Sequence, residues 1–286
     1  MEISTATTAM APISPAKKNK DTYSWGHGPA MLNLYKWRSV ANSAPHLIPY
    51  LRPGLKILDV GCGPGTITID IAQRVLPDGH VTGVDYKEKP LEPARALAAQ
   101  KGIKNVRFAL ADVLDLRDFA DASFDIVYAH QVLQHIQEPV RAIREMRRVV
   151  KPGGIIALRE SAGMMWYPDV KGMREWYDLY QRLGKGLGGN PDGGSSLHAW
   201  TQEAGFNRED ITCTAGAWCF NTPEERKFWS GNASDRMSSL DFEELTVKSG
   251  YCTAEELKLT LEAWKNWEKS EDGWFAITHA EVVAQK

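Results

Sequence analysis

The chain has 286 residues, of which 43% are hydrophobic, and a formal net charge of −2 at pH 7. This length allows one large α/β domain with an elaboration, or two modest domains, around a core of ordinary size. The near-neutral charge gives no general attraction to nucleic acid or to an anionic membrane, and no apolar run reaches the length of a membrane span. We therefore expect neither a nucleic-acid partner nor a membrane span.

The four cysteines, Cys62, Cys213, Cys219 and Cys252, show no Cys-x-x-Cys spacing. This pattern indicates neither a zinc site nor a disulfide framework, and we expect no bound metal. Unpaired cysteines are typical of a reducing compartment, so a cytoplasmic location is expected.

The first 22 residues are rich in Ser, Thr, Ala and Pro and contain no aromatic side chain, which predicts a disordered tail. Ordered sequence is expected from Tyr23 onward. Residues 29–50 fit one or two helices, which Pro45 and Pro49 interrupt.

Between residues 56 and 160, short apolar runs alternate with amphipathic segments. Such alternation requires right-handed crossovers and predicts a parallel sheet with helices on both faces. Ligands of these sheets bind outside the carboxyl ends of the strands. The predicted elements are strand 56–60, helix 66–76, strand 81–85, helix 90–101, strands 106–110 and 124–129, helix 139–150 and strand 155–160.

The pattern changes after residue 160, where helices become more frequent than strands. Thr222 and Thr253 each begin a capping box, which predicts a helical insertion over about residues 222–271. The other predicted elements are helices 169–183 and 195–204 and strands 211–220 and 275–283. We divide the chain into a tail (1–22), a unit of N-terminal helices and ligand-binding core (23–160), and the rest of the sheet with its helical insertion (161–286).

Residues 56–65, Lys-Ile-Leu-Asp-Val-Gly-Cys-Gly-Pro-Gly, predict a buried strand that turns sharply into a helix. The glycines of this turn allow a ligand to lie against the backbone, and the amide groups at the helix N-terminus form a polar cradle. About 20 residues later the second strand ends in Asp85, a position from which a carboxylate accepts both hydroxyls of a ribose. The turn lacks the Lys-Ser/Thr of a P-loop, so no triphosphate is implied.

These segments resemble the ordered motifs of the class I S-adenosylmethionine-dependent methyltransferases. The five matching segments are residues 59–65, Asp85, residues 111–113, residues 124–127 and residues 151–154. The rest of the chain resembles the small-molecule branch of that family, of the ubiquinone/menaquinone-biosynthesis type. With the strands predicted above, the resemblance implies an α/β fold. We expect a Rossmann-like, doubly wound, seven-stranded, mostly parallel sheet with a helical insertion near the C-terminus.

The resemblance also implies S-adenosyl-L-methionine as the cofactor and indicates which residues hold it. It places the adenine amino group on Asp112 and an adenine ring nitrogen on the amide of Val113. A helix cap is the alternative for Asp112, and a purely structural role is the alternative for Asp59. The expected cofactor contacts are Tyr23, Asp59, Gly61, Cys62, Gly63, Gly65, Thr66, Asp85, Tyr86, Asp112, Val113, His130 and Gln131.

The segment after strand four would lie beside the methionine part of the cofactor, as it does in the family. Gln131 would hydrogen-bond the amino-acid end of the cofactor, and His130 is either a site histidine or a packed one. A phenol or alcohol acceptor would need a general base, for which His130, Glu160 and His198 are the candidates. A thiol acceptor would need little help at neutral pH.

Eight of the ten tryptophans lie from Trp166 onward, which suggests large flat apolar walls in the second half of the chain. Trp166, Tyr167, Trp218 and Trp229 are the expected walls of a substrate pocket, with core packing as the alternative for each. The insertion is equally consistent with a dimer contact, so a homodimer is also considered.

We expect methyl transfer from S-adenosylmethionine to an oxygen, nitrogen, sulfur or carbon atom of a small organic acceptor, in secondary or quinone metabolism. A dehydrogenase would share the sheet but would require Gly-x-Gly-x-x-Gly, which residues 61–65 do not form. A non-catalytic S-adenosylmethionine-binding or interaction protein would keep all five motifs, because these motifs bind and do not catalyse.

Overall fold

The structure is a computed structural model, and it describes Tyr35 and residues 37–286. The predicted tail over residues 1–22 and the predicted cofactor contact Tyr23 lie outside the described residues. Val40–Ser43 forms a short helix, α1, and Pro45–Tyr50 forms a 3-10 helix.

Seven strands form one sheet in the order β3-β2-β1-β4-β5-β7-β6. The first five strands pair in parallel, and β7 is antiparallel to both of its neighbours. The winding reverses between β1 and β4, which is where such sheets bind ligands. The predicted fold class is therefore confirmed. The strands are β1 (Lys56–Val60), β2 (His80–Asp85), β3 (Val106–Leu110), β4 (Phe124–His130), β5 (Val150–Tyr167), β6 (Ile211–Phe220) and β7 (Trp274–Gln285).

Helices follow the strands on both faces of the sheet and fill the connection between β6 and β7. Short 3-10 segments separate several of them, and a π-helical turn covers Glu244–Lys248. The remaining helices are α2 (Thr66–Arg74), α3 (Glu88–Gln100), α4 (Pro139–Val149), α5 (Met173–Gly186), α6 (Leu197–Glu203), α7 (Pro223–Met237), α8 (Leu240–Glu243) and α9 (Ala254–Glu268).

The side chains of β1 alternate between the two faces of the sheet. Leu58 belongs to a buried cluster that includes Met146 of α4, whereas Ile57 belongs to a second buried cluster that includes Ile71 of α2. All four side chains are fully buried. Burial on both faces explains why this strand is apolar at successive positions, as is typical of central parallel strands.

A third buried cluster lies between the insertion and the far ends of β5, β6 and β7, and we call it the aromatic cluster. Its large members include Trp218 and Phe220 of β6, Trp264 and Trp267 of α9, and Phe275 of β7. The Trp264 and Phe275 ring centroids are 5.3 Å apart, and the two rings meet edge to face. Aromatic pairs prefer this arrangement, and their packing fixes the helices of the insertion on the sheet.

Strand β5 continues well beyond its predicted end at residue 160. It pairs with β7 as far as Tyr167 opposite Trp274, after a register shift between Ser161 and Gly163. The prediction ended too early because the strand signal weakens at Ser161 and Gly163, whereas the backbone hydrogen bonds to β7 extend the strand. The extended β5 and β7 rise past the carboxyl edge of the parallel strands and support the insertion.

Within the part of the chain that the structure describes, no helix is both long enough and apolar enough to cross a membrane.

We predict that the aromatic cluster contributes strongly to the free energy of unfolding. Trp267 is fully buried, and its Nε1 donates to the carbonyl oxygen of Tyr167 at 3.1 Å. Trp267→Ala should lower the free energy of unfolding by about 3–5 kcal/mol, measured by urea denaturation, because it leaves a large cavity. Trp267→Phe should cost less, because it keeps most of the packing.

Leu240→Ala provides the control for this prediction, because Leu240 is 81% exposed. It should change the free energy of unfolding by no more than about 0.5 kcal/mol. Equal effects of Trp267→Ala and Leu240→Ala would contradict a structural role for the aromatic cluster.

Candidate active site

Three left-handed glycines shape the turn between β1 and α2. Gly61, Gly63 and Gly65 have φ angles of +68°, +53° and +74°. A Cβ on Gly61 would lie 2.4 Å from a methyl carbon of Val132, and one on Gly65 would lie 2.7 Å from the Phe108 ring. A Cβ on Gly63 would meet nothing within 4 Å. Gly61 and Gly65 therefore allow close packing, while Gly63 presents open backbone at the carboxyl edge of the sheet.

Asp85 joins the tip of β2 to this turn. Its Oδ2 accepts a hydrogen bond from the amide of Gly63, and its Oδ1 accepts one from the amide of Lys87, each at 3.1 Å. Burial raises the pKa of Asp85 above its ordinary value, and these amide donors oppose that shift. The neighbouring Tyr86 is 41% exposed.

Asp59, Cys62 and Thr66 lie within or beside the turn, and each is held by its own contacts. Thr68 donates its hydroxyl to Asp59 at 2.6 Å, and burial raises the pKa of Asp59 to about 7. Burial also raises the pKa of the Cys62 thiol, so this thiol stays protonated. The Thr66 hydroxyl donates to the carbonyl oxygen of Tyr35 at 3.0 Å and so ties the start of α2 to the N-terminal segment.

Asp112 and Val113 follow β3 at the same edge of the sheet. Asp112 is exposed, and its Oδ1 accepts a hydrogen bond from the amide of Leu114 at 2.9 Å. The Val113 side chain is buried in the cluster that includes Met146. The adenine contacts of Asp112 and of the Val113 amide stay predictions.

Gln131 occupies the turn directly after β4 with a φ of +53°, which is unusual for a residue other than glycine. Its amide donates to the carbonyl oxygen of Arg159 at 2.8 Å. Its side-chain Oε1 accepts a hydrogen bond from Arg38, and its Nε2 lies 3.1 Å from Nε2 of His279. Gln131 therefore links the N-terminal segment to β7 across the end of β4.

Glu160 holds the backbone of the same turn. Its Oε1 accepts hydrogen bonds from the amides of Val132 (3.0 Å) and Leu133 (2.9 Å), and its Oε2 accepts one from the amide of Gln134 at 3.2 Å. The side chain is fully buried, and burial raises its pKa to about 7 although the three amide donors lower it. With both oxygens engaged, Glu160 is an anchor for the turn.

His130 is buried beside the aromatic cluster and does not line the cavity described below. Its ring centroid is 5.6 Å from that of Trp218 and 6.3 Å from that of His279. Neither ring nitrogen has a hydrogen-bond partner in the described part of the chain, and burial lowers the pKa of His130 well below its ordinary value.

His198 lies on α6, which packs against α4 on one face of the sheet. Its Nε2 is 3.1 Å from Nε2 of Gln202. The structure therefore does not bring the three predicted bases, His130, Glu160 and His198, to a common site. A strand-end carboxylate and a helical histidine look the same in sequence whether they face a ligand or the protein.

A cavity begins beside Gln131 and extends between β5, β7, α5, α7 and α9. It contains about 1040 Å³ of space without protein atoms, part of it open to solvent. The described residues that line it are Tyr35, Arg38, Gln131, Gln134, His135, Ser161, Met164, Trp176, Leu179, Tyr180, Leu183, Trp218, Trp229, Asn232, Ala233, Arg236, Met237, Phe242, Trp264, Phe275 and Ile277.

Two of the four predicted wall residues, Trp218 and Trp229, line this cavity. Trp166 and Tyr167 do not, which corrects their predicted placement. Because β5 continues as a strand, Trp166 packs beside Trp176 and Tyr167 is 53% exposed.

Several lining residues were missed by the sequence analysis, notably Trp176, Tyr180 and Trp264. Their helical spacing is that of ordinary core residues, so no sequence signal distinguished them. No group of three or more His, Cys, Asp or Glu side chains in the described ranges is arranged to hold a metal ion.

Comparisons with known proteins agree on one family. A family model described as a methyltransferase domain matches residues 51–208. An uncharacterized methyltransferase of Schizosaccharomyces pombe is 32% identical and covers 92% of this chain and 96% of its own length. A demethylmenaquinone methyltransferase of Staphylococcus aureus is 34% identical over 55% of this chain and 63% of its own length.

A solved structure of a Haemonchus contortus phosphoethanolamine N-methyltransferase, in complex with S-adenosyl-L-methionine, has the same fold. It superposes with a TM-score of 0.53 at 15% identity, covering 93% of this chain and 57% of that chain.

We predict that Glu160 makes stability depend on pH. The pKa of Glu160 is about 7 in the folded protein, whereas its ordinary value, expected in the unfolded chain, is 4.5. At a pH between these two values, the folded protein keeps a proton that the unfolded chain loses. The contribution of Glu160 to the free energy of unfolding should therefore fall by about 2 kcal/mol from about pH 5 to about pH 7.

Urea denaturation of the wild type and of Glu160→Gln at these two pH values tests this prediction. The variant cannot titrate at this position, so its free energy of unfolding should change less with pH than that of the wild type. Parallel changes in the two proteins would show that Glu160 does not carry the effect.

Proposed function

Because this chain belongs to the methyltransferase domain family, we propose that it transfers the methyl group of S-adenosylmethionine to a small organic acceptor bound in the aromatic cavity. The observation that carries the proposal is the position of Gln131, which adjoins the glycine turn through Val132 and also lines the cavity. The glycine turn on one side of Gln131 suits the cofactor, and the cavity on its other side suits the acceptor.

The residues at the carboxyl edge fit the cofactor. The backbone at Gly63 is open, and Asp85 lies beside it with carboxylate oxygens suited to the two ribose hydroxyls. Asp112 and the Val113 amide would hold the adenine, with Cys62, Thr66 and Tyr86 completing the cradle. Asp59 would act indirectly, by fixing α2 through Thr68.

Arg38 and Gln131 would hold the amino-acid end of the cofactor. Arg38 has no carboxylate partner among the described residues, and its Nε is inaccessible to water and has no hydrogen-bond partner there. Its guanidinium carbon lies 4.9 Å from the centre of the Tyr35 ring and 5.4 Å from that of Trp218, which fixes its direction. A guanidinium held in this way is suited to a carboxylate, the group that the cofactor would bring.

When bound, the cofactor supplies a methyl group on a positively charged sulfur, which is an excellent leaving group. The protein then contributes mainly by holding the acceptor atom and the methyl group aligned about 3–3.5 Å apart, which is worth up to ~7–11 kcal/mol. Trp218 and Trp229 would fix the plane of the acceptor and exclude water from the junction.

An acceptor in secondary or quinone metabolism is supported by the similarity to the demethylmenaquinone methyltransferase, whose name states a quinone substrate. Membership of the methyltransferase domain family argues against a dehydrogenase. The aromatic cavity favours catalysis over a purely binding role. The predictions of a cytoplasmic location and of a homodimer stay predictions.

We predict that Asp85→Ala weakens the binding of S-adenosylmethionine and of S-adenosylhomocysteine by roughly 100-fold, because two charge-assisted hydrogen bonds are lost. Titration calorimetry of the full chain measures both affinities. Asp118→Ala removes an exposed carboxylate after β3 and should leave both affinities unchanged. Wild-type protein that binds neither compound would overturn the proposed function.

A further inference from the structure

One end of the cavity carries a concentration of positive charge. Arg38 and Arg236 both line the cavity, and both act on Tyr35 and His135, which line it as well. Burial lowers the pKa of His135 most, and the two guanidiniums lower it further. The resulting pKa is about 3. Burial raises the pKa of Tyr35 to about 12, because its effect is larger than the opposite effect of the two guanidiniums. Arg38 and Arg236 therefore lie within electrostatic reach of the same space.

The cavity offers no general base among its described residues, since none of the lining side chains is Asp or Glu. The lining titratable groups are Tyr35, Arg38, His135, Tyr180 and Arg236. Burial raises the pKa of both tyrosines above its ordinary value, so at neutral pH they keep their protons. Apart from the two arginines, His135 is the remaining lining residue of the described chain with a basic side chain, and a pKa lowered to about 3 keeps it from accepting a proton near neutrality.

The hydrogen-bond network around His135 fixes where its proton lies. The amide of Ser161 donates to Oε1 of Gln134 at 2.9 Å, so the Gln134 amino group faces Nε2 of His135 at 3.2 Å. An amino group can only donate, so Nε2 of His135 accepts and its proton is assigned to Nδ1. With the Nε2 lone pair engaged and the pKa lowered, His135 is not a base in this site.

Three buried donors of the cavity have no hydrogen-bond partner among the described residues. The indole Nε1 atoms of Trp229 and Trp264 are inaccessible to water and have no hydrogen-bond partner in the described part of the chain, and the Ser161 hydroxyl is in the same state. Leaving a buried donor unsatisfied is unfavourable, and a ligand with oxygen acceptors would relieve it.

From these observations we propose that the acceptor is a flat aromatic acid, a phenol or a carboxylic acid, which reacts as its oxygen anion without a protein base. This inference rests on the proposed function and specifies its substrate class. The aromatic walls fit the ring, one guanidinium serves the carboxylate of the cofactor, and the other charge stabilises the anion of the acceptor.

The proposed step balances without a proton transfer in the site. The acceptor loses its proton to solvent before or during binding, at an acidity that the positive end of the cavity increases. The anionic oxygen forms a bond to the methyl carbon, the carbon–sulfur bond breaks, and its electron pair stays on sulfur. Opposite charges are neutralised, giving a neutral ether or ester and a thioether. An amine acceptor would instead gain positive charge beside two guanidiniums, which is unfavourable.

The first test offers three naphthalene probes to the whole chain, with formation of S-adenosylhomocysteine as the readout: 1-naphthol, the more acidic 4-nitro-1-naphthol, and 1-naphthylamine, which is isosteric with 1-naphthol. For both naphthols, kcat/KM should rise with pH to a plateau. The midpoint should lie at lower pH for the more acidic nitro compound, because the acceptor itself titrates. His135→Gln should keep each midpoint.

Two results of this test would overturn the inference. A midpoint shared by both naphthols would indicate a protein base, and preferred transfer to 1-naphthylamine, or no transfer to either naphthol, would exclude an oxygen anion as the acceptor. Cofactor binding measured in parallel separates this failure from a failure of the proposed function, which would abolish that binding too.

The second test measures the binding of 1-naphthoate by quenching of tryptophan fluorescence in the presence of S-adenosylhomocysteine. Arg236→Gln should weaken this binding about tenfold or more, because a charged partner is lost. Lys227→Gln removes an equal charge from the exposed side of the same helix, α7, and should have no effect. Equal affinities in Arg236→Gln and the wild type would contradict the proposal, and so would the absence of naphthoate binding together with the absence of methyl transfer to 1-naphthol. Methylation of 1-naphthol or of 1-naphthoate then identifies the phenol or the carboxylic acid as the acceptor class.

Discussion

The carboxylate of Glu160 holds the two halves of the site together. It accepts hydrogen bonds from three consecutive backbone amides and so fixes the turn after β4. The contacts of this turn with the glycine turn and with β5 depend on that position. Val132 is pressed against Gly61, which tolerates no Cβ there, and Gln134 reaches back to the amide of Ser161. A buried carboxylate is costly unless its oxygens are hydrogen-bonded, so this arrangement admits few alternatives. The glycine turn and the wall of the cavity are thereby held in one fixed relation.

The cavity itself depends on strands that extend beyond the carboxyl edge of the parallel strands. The antiparallel pair of β5 and β7 extends beyond the carboxyl edge, and β6 extends with β7 as far as Phe220 opposite Phe275. The helices of the insertion pack on this extension through the aromatic cluster, so the same tryptophans that stabilise the insertion also line the space beneath it. Stability and the shape of the cavity are therefore coupled on this side of the molecule, whereas the glycine turn is built on the parallel strands.

The sequence predicted the elements whose signals are local. The strand–turn–helix pattern located Gly61, Gly63 and Gly65, and the strand end located Asp85, because turns and parallel strands leave marks within a few residues. Side-chain direction left no such mark. Glu160 was expected as a base, but its oxygens point to amides, and Trp264 has the spacing of a core residue although it borders a cavity. A pocket inside an aromatic core has the same periodicity as the core, so only the tertiary packing separates the two.

The insertion leaves the sheet at Phe220 and returns at Trp274, and these two positions lie on neighbouring, hydrogen-bonded strands. Its ends are therefore pinned close together by a part of the sheet that takes no part in the glycine turn. Substitutions confined to this segment would therefore change the wall of the cavity and leave the closure of the sheet and the glycine turn in place.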